Sequence, residues 1–423
     1  MTRTWRGTRL ADLAAERGLD EAYRHEIRVV ASVLPFKVDR YVVDELIDWS
    51  AVPDDPIFRL TFPARGMLPD DVYEPVSKLI RDGAGEREVR AAVTDLRRRL
   101  NPHPSGQADN VPLLNGDPVG GLQHKYRHTV LVFPSPGQTC HSYCGYCFRW
   151  AQFVGEPGLR FASSRPEDMV TYLRRHPEVT DVLLTGGDPL VMSTPVLRRW
   201  IDPLLDIGHV STIRIGTKAL AYAPSRVTDD PTLLHLVERC VRAGRQVAVM
   251  MHVSHARELA TDSARRAIAL LRGAGATLRA QAPIIRHVND DPAAWADMWQ
   301  AMVSLGIAPY YSFVERDTGA MAWFEVPLAR ALAVHTEAQR RVGGLARTAR
   351  GPVMSATPGK IVIDGETTVG GERVFVLRML QARDPALTGR VFFAHHSADA
   401  TWIDGLRPAF APHWPWETTG GSE

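Results

Sequence analysis

Three of the chain's four cysteines, Cys140, Cys144 and Cys147, fall within eight residues in the run TCHSYCGYCFRW. Thiolates are the usual protein ligands of iron–sulfur clusters. Three of them leave one iron of a four-iron cubane open for chemistry. Other readings fit this spacing less well. A structural zinc ion takes four closed ligands; no fourth cysteine lies nearby, and His141, next to Cys140, is badly placed to complete a tetrahedron. Disulfide frameworks pair cysteines across a fold, which three in one short run do poorly. Cys240, in the helical apolar pattern LLHLVERCVRAG, reads as a buried core thiol.

Two further runs carry chemistry. LLTGGDPL contains Gly186, Gly187, Asp188 and Pro189, and glycine lets a ligand approach the backbone because no Cβ intervenes. Taken alone, such a turn marks only a tight loop. MMHVSH presents His252 and His255. No local carboxylate completes a metal site with them, so polar contacts to a bound cofactor are the better expectation.

These residues need a scaffold that gathers them on one face. From about residue 124 the sequence alternates β-branched runs with helical ones. Expected strands are Thr129–Phe133, Asp181–Thr185, Thr212–Ile215, Gln246–Met251, Thr277–Ala282 and Pro309–Phe313. Helical runs such as PEDMVTYLRRH, PTLLHLVERCVRAG and DSARRAIALLRGAG lie between them. Six strands, each followed by a helix, predict a parallel sheet with right-handed crossovers, a partial (β/α)6 barrel. Such barrels place function at the carboxyl ends of their strands. The cysteines follow the first strand, the Gly-Gly-Asp turn the second and His252 the fourth, and Gln281 ends the fifth.

The expected organisation is a helical N-terminal region over 1–123, the barrel over 124–315, and a small α+β extension over 316–423. The first part carries 3.6-period apolar stripes in DEAYRHEIRVVASVLPF, VDRYVVDELIDW and EREVRAAVTDLRRRL. The last begins with the helical run VPLARALAVHTEAQRRV and turns strand-like in GKIVIDGETTVGGERVFVLRM; the tail ETTGGSE reads as disordered. With 45% hydrophobic and 23% charged residues the composition is that of a globular chain. A net charge of +2 and only short basic runs such as Arg97–Arg99 give no reason to expect a nucleic-acid partner. No apolar stretch reaches bilayer length, and no signal-peptide core opens the chain. With an oxygen-sensitive thiolate set and no disulfide pattern, the cytoplasm is the expected compartment.

In its order of motifs, HKYRHTVLVF, CHSYCGYCFRW, LLTGGDPL, IRIGTK, MHVSH, PIIRHVND and PYY, the chain resembles the lysine 2,3-aminomutase family of pyridoxal-phosphate (PLP)-dependent radical S-adenosylmethionine (SAM) enzymes, over roughly residues 30–380. The resemblance implies a 4Fe–4S cluster on the three cysteines. Its open iron chelates SAM, whose cleavage yields a 5′-deoxyadenosyl radical. It implies that Gly186, Gly187 and Asp188 receive the SAM amino group and that Thr217, Lys218, His252 and Gln281 line the cofactors. It implies that Lys125 takes the place of a phosphate-binding arginine, and that Arg149 grips the substrate α-carboxylate, to which a planar guanidinium is suited. In SATPGKIVIDG it implies that Lys360 forms the aldimine with PLP; a lysine behind Pro358 and Gly359 on a rigid turn could reach into a barrel mouth and do so. A reducing partner such as flavodoxin or ferredoxin and a homo-oligomeric state are implied as well, with a free amino acid as substrate.

The departures from the lysine-type pattern concern the substrate's distal end. Where that pattern has two aspartates, this chain has Arg316 and Ser355, with Glu315 and Asp317 as neighbouring acids. A buried cation facing a substrate ammonium is strongly unfavourable. A distal carboxylate suits Arg316; a guanidinium suits Glu315 or Asp317. The expected reaction is 2,3-amino migration, the alternative a desaturation or epimerisation with the same cofactors. No cysteine follows Cys240, so a C-terminal zinc set is absent.

Overall fold

The structure is a computed structural model, and it describes residues 3–100, 108–155 and 161–417. The end of the tail expected to be disordered, 418–423, lies outside the described residues.

Two short strands open the chain, β1 (Thr4–Arg6) and β2 (Lys37–Asp39), paired antiparallel. A small pair, β3 (Leu113–Leu114) and β4 (Asp117–Pro118), precedes the main sheet. That sheet begins with β5 (Leu122–Tyr126), β6 (Thr129–Val132), β7 (Asp181–Leu184), β8 (Thr212–Thr217) and β9 (Gln246–His252). It continues through β10 (Thr277–Ile284), β11 (Ile307–Val314) and β12 (Arg350–Ser355). It ends with β13 (Gly359–Val369), β14 (Glu372–Ala382), β15 (Val391–His395) and β16 (Pro408–Ala409). The twelve strands lie in sequence order.

The six strands expected from the sequence are β6–β11, all parallel. A seventh, β12, was not expected; it adds in parallel to β11. Antiparallel neighbours then extend the sheet at both ends, β5 on β6 and β13–β16 beyond β12. The C-terminal segment thus continues the barrel wall. The reason is covalent: the turn after Ser355 leads straight into β13, which finds its hydrogen-bond partner on the exposed edge of β12.

Helices Pro166–Arg175, Thr194–Ile201, Pro231–Arg242, Asp262–Gly273, Pro292–Ser304 and Leu328–Arg340 follow β6–β11 in turn. Several begin where the sequence supplies a cap. Asp230, Thr261 and Asp291 accept from the backbone N–H of Thr232, Ala264 and Ala294, and proline opens the first and third of these helices. Strands such as β9 are buried along almost their whole length because helices cover one side and the barrel interior the other. Cys240 is 2% exposed in this layer, a core thiol as expected.

The sheet curls far enough for its distant strands to touch. The Lys360 ammonium of β13 lies 4.8 Å from the ring centre of Tyr126 on β5, and Lys125 Nζ of β5 donates to Ala356 O beyond β12. Side chains bridge the gap that backbone pairing leaves open.

In the N-terminal region the helices Glu21–Val33 and Glu86–Arg99 match their apolar stripes. The run VDRYVVDELIDW does not form the expected α-helix. It gives β2 and one π-helical turn, Val42–Leu46, because its first residues pair with β1. The apolar core here takes in Tyr146 and Trp150 from the cysteine segment, together with Tyr222 and Phe324. Asp55, fully buried, pins this region to the barrel. Its carboxylate accepts from Phe58 N and Asp48 N and pairs with Arg257. Asp55→Ala removes a helix cap and a largely buried ion pair, an expected loss of about 2 kcal/mol. Urea denaturation of the two proteins measures it, and Asp55→Asn, which keeps the cap, should lose less.

Candidate active site

The cysteine segment runs from the end of β6 into the short helix Trp150–Phe153. All three thiols are half-buried. Burial pushes each upward, Cys147 to about 12; Cys144 adds to the rise at Cys140 and Cys147, while Arg149 opposes the shift at Cys147. They are therefore neutral at pH 7 until a metal centre displaces their protons. Among the described residues no three His, Cys, Asp or Glu side chains converge closely enough for one metal ion, the cysteines included. Three thiols in one short segment are a donor set that fits a cluster, in which each cysteine would bond a different iron.

Gly186 and Gly187 follow β7 directly beneath this segment. A Cβ on Gly186 would collide with the Gln138 side chain, and one on Gly187 with the Thr139 backbone; Gly186 also has φ +140°. The glycines thus make room for the cysteine segment itself. Asp188 N donates to Gly137 O and Thr139 O, which locks the two together. The Asp188 carboxylate, 1% exposed, accepts from Thr217 Oγ1 (2.7 Å), Lys218 N (2.8 Å) and Leu190 N (2.9 Å). Lys218 pairs with buried Glu258 at 2.8 Å. Tyr146, between the second and third cysteines, hydrogen-bonds His252 Nδ1 (2.9 Å) and Ser254 Oγ (3.0 Å). Burial lowers His252 to about 3, so its ring is neutral. Asp188, Thr217, Lys218 and His252 therefore stand together around the cysteines but are engaged with one another. His255 accepts from Arg257 N and is no co-ligand of His252. Gln281, half-buried, pairs with His252 across β9–β10 and with Tyr311 across β10–β11.

A second group gathers round Lys360. It lies within β13 rather than on the turn ahead of it, opposite Ser355 of β12 and Gln381 of β14. Its Nζ donates to Gln381 Oε1 at 2.9 Å and faces the rings of Tyr126 and Tyr311. A Cβ on Gly359 would collide with Gln381 O, so glycine is what lets β14 come this close. Burial, reinforced by Arg214 and Arg350, lowers Lys360 to about 8. Burial likewise lowers Lys125 to about 7, with Arg316, Arg383 and Lys360 adding repulsion.

Arg149 and Arg316 connect the two groups. Their guanidinium carbons lie 5.0 Å and 5.1 Å from the ring centre of Phe148, and Arg149 also stacks on Phe133. Burial lowers Arg149 to about 10. Arg316 is shifted down by burial and feels Asp317, Glu315 and Tyr126. Glu315, 7% exposed, is pushed strongly toward its neutral form by burial. Arg149 Nη1, Tyr126 Oη and Glu315 Oε1, beside Arg316 and Lys360, are among the buried polar atoms that lack a hydrogen-bond partner. Buried polar groups are ordinarily satisfied, so these three leave places for a polar ligand.

Sequence reasoning missed Tyr126, Phe148, Gln381 and Lys37. Tyr126 and Phe148 adjoin singled-out residues, and Gln381 follows from counting equal steps out from the Gly370–Gly371 turn. Nothing local marked Lys37.

No family model matches the chain. A protein of Aquifex aeolicus described as "putative L-lysine 2,3-aminomutase" is 33% identical over 396 residues, covering 93% of this chain and 94% of its own. The L-lysine 2,3-aminomutase of Clostridium subterminale is 29% identical over 63% of this chain, and the match spans 58% of that enzyme. Among solved structures, a radical SAM methyltransferase from Sphaerobacter thermophilus aligns over 69% of this chain and 95% of its own, with TM-score 0.40 and 16% identity.

An amine lowered to about 8 is largely uncharged at a pH where ordinary lysines, near about 10.4, are protonated. Acylation by limiting acetic anhydride, read by peptide mass spectrometry, should rise for Lys360 through about pH 8 and then level. A profile still climbing above pH 10, about where free lysine titrates, would contradict the burial assigned to it.

Proposed function

The chain belongs to the lysine 2,3-aminomutase family of radical SAM enzymes, and on that premise we propose that it moves the α-amino group of a free amino acid to the β-carbon. The family's cofactors are a 4Fe–4S cluster, SAM and PLP. The observation that carries the reading is Lys360, a buried amine lowered to about 8 and faced by Tyr126 and Tyr311, with Arg149 Nη1, Tyr126 Oη and Glu315 Oε1 left without partners. When bound, the cluster and SAM supply a carbon-centred radical that removes hydrogen from the substrate, and PLP supplies the carbonyl that carries the migrating nitrogen.

The chain's own residues would act as follows. Cys140, Cys144 and Cys147 ligate the cluster. Lys360 offers an amine poised near neutrality, with Tyr126 and Tyr311 as aromatic walls for a flat ring. Lys125, half-buried and lowered by burial to about 7, would in its protonated form meet the phosphate as a point charge. Arg149, with one buried guanidinium nitrogen free, takes the α-carboxylate. Enclosure by the barrel and N-terminal region keeps water from the radical. Arg316 adds a cation to a chamber already holding Arg149, Lys125 and Lys360, so a substrate whose distal end is itself cationic is disfavoured. A low-potential flavodoxin or ferredoxin would supply the electron.

Anaerobically reconstituted protein, given SAM, PLP and a panel of amino acids, should release a β-amino isomer of unchanged mass, with lysine among the poorest substrates. Loss of two hydrogens from the product would overturn the migration. Lys360→Ala should abolish the visible absorbance of covalently held PLP and the isomer together while leaving reductive SAM cleavage. An unchanged spectrum would show that PLP is held elsewhere.

A further inference from the structure

The cysteine segment is gripped from a part of the chain remote from the barrel. Tyr143 N donates to Lys37 O at 2.8 Å, and Gly145 N to Leu60 O at 2.8 Å. Asp39 N donates to Ser142 Oγ at 2.9 Å. The Lys37 ammonium donates to the carbonyl oxygen of Cys140 itself. Four positions of the segment are therefore fixed by β2 and the helix Pro56–Thr61 that follows it in the N-terminal region.

Lys37 is an unlikely residue to find here on packing grounds alone. It is 7% exposed, and a buried ammonium is expensive unless a charge or several acceptors compensate it. Its acceptor is one carbonyl, with the Tyr143 ring centre 5.8 Å away. The charged groups facing it are Arg6, which repels it, and Asp39, which attracts it, together with the Cys140 thiol. Asp39 is shared, because its carboxylate also accepts from Thr4 Oγ1 and Tyr41 N. Thiolates ligating a cluster carry the negative charge that this ammonium lacks.

We propose that Lys37 is a positioning residue for the cluster: it anchors the segment at Cys140 and supplies the countercharge to the thiolate-ligated centre. The proposal rests on the cluster reading of the three cysteines and adds to it a dependence on the N-terminal region. A cation beside a cluster favours the more negative, reduced state, so its loss makes reduction harder.

The test uses full-length protein reconstituted anaerobically with iron and sulfide. Lys37→Met keeps the stem and the backbone contacts of β2 but removes the charge. Its cluster should show a midpoint potential more negative than wild type by spectroelectrochemistry and lose iron to a chelator about ten-fold more readily, the lower end of what outer-shell changes cause. Lys37→Arg, which keeps the charge, should hold the wild-type potential. The melting temperature of cluster-free Lys37→Met should equal or exceed wild type, since a buried charge has gone. A merely structural lysine would lower that temperature and leave the potential unmoved, and that result, or equal potentials and iron retention in Lys37→Met and wild type, overturns the proposal. If wild type itself assembles no cluster, the reading of the cysteines falls and this inference with it. A wild-type cluster with an indifferent Lys37 sinks only the inference.

Discussion

The tight stacking of the Gly186–Gly187 turn under Gln138 and Thr139 is the contact on which the rest of the site depends. A Cβ at Gly186 would strike the Gln138 side chain and one at Gly187 the Thr139 backbone, so the turn after β7 and the segment after β6 pack with no room for a further side chain. Asp188 completes the lock through two backbone hydrogen bonds to Gly137 and Thr139 and passes it on to β8 through Thr217 and Lys218. On the opposite side β2 and Leu60 hold the same segment. A loop held in this way has little freedom left, and preorganisation of that kind suits the three-thiolate centre with an open position that is proposed for it.

The chamber between this loop and Lys360 is rich in cations and poor in available anions. Glu315 is driven toward its neutral form by burial, and Asp181 is paired with Arg214 at 2.7 Å. Lys125, Arg149, Arg316 and Lys360 shift down under burial and, in part, under one another's charge. Such an arrangement is unstable on its own account and becomes reasonable once anions occupy it. A cofactor phosphate and a substrate carboxylate are anions of the right kind. Burial, with repulsion from Arg214 and Arg350, also lowers Lys360 and so favours the uncharged amine that attack on a carbonyl needs.

Much of this was legible in the sequence because local pattern dictated it. The six central parallel strands and their helices follow from periodicity. The cysteine spacing pointed to its chemistry by residue type, and Lys360 was singled out through the family resemblance. What escaped notice depends on partners distant in sequence. Strand β12 follows a loop and is set by its pairing with β11 on one side and β13 on the other. β2 is three residues long and owes its form to β1 and the cysteine segment. Lys360 sits in a strand because β12 and β14 flank it. The glycines of the second turn were read as room for a ligand, and the structure also sets the Gln138 side chain and the Thr139 backbone against them. Composition cannot distinguish the two, because both need the missing Cβ.

The central claim is that the cysteine-bound radical source and the lysine that carries PLP open into one enclosed chamber bridged by Arg149, Phe148 and Arg316. An anaerobic crystal structure with iron and sulfide, SAM, PLP and an amino-acid substrate tests it most directly. The account predicts a cluster on Cys140, Cys144 and Cys147, PLP between Tyr126 and Tyr311 with its phosphate at Lys125, and the substrate carboxylate on Arg149. PLP bound away from Lys360, or a cluster whose open iron faces solvent rather than Arg149, would contradict it.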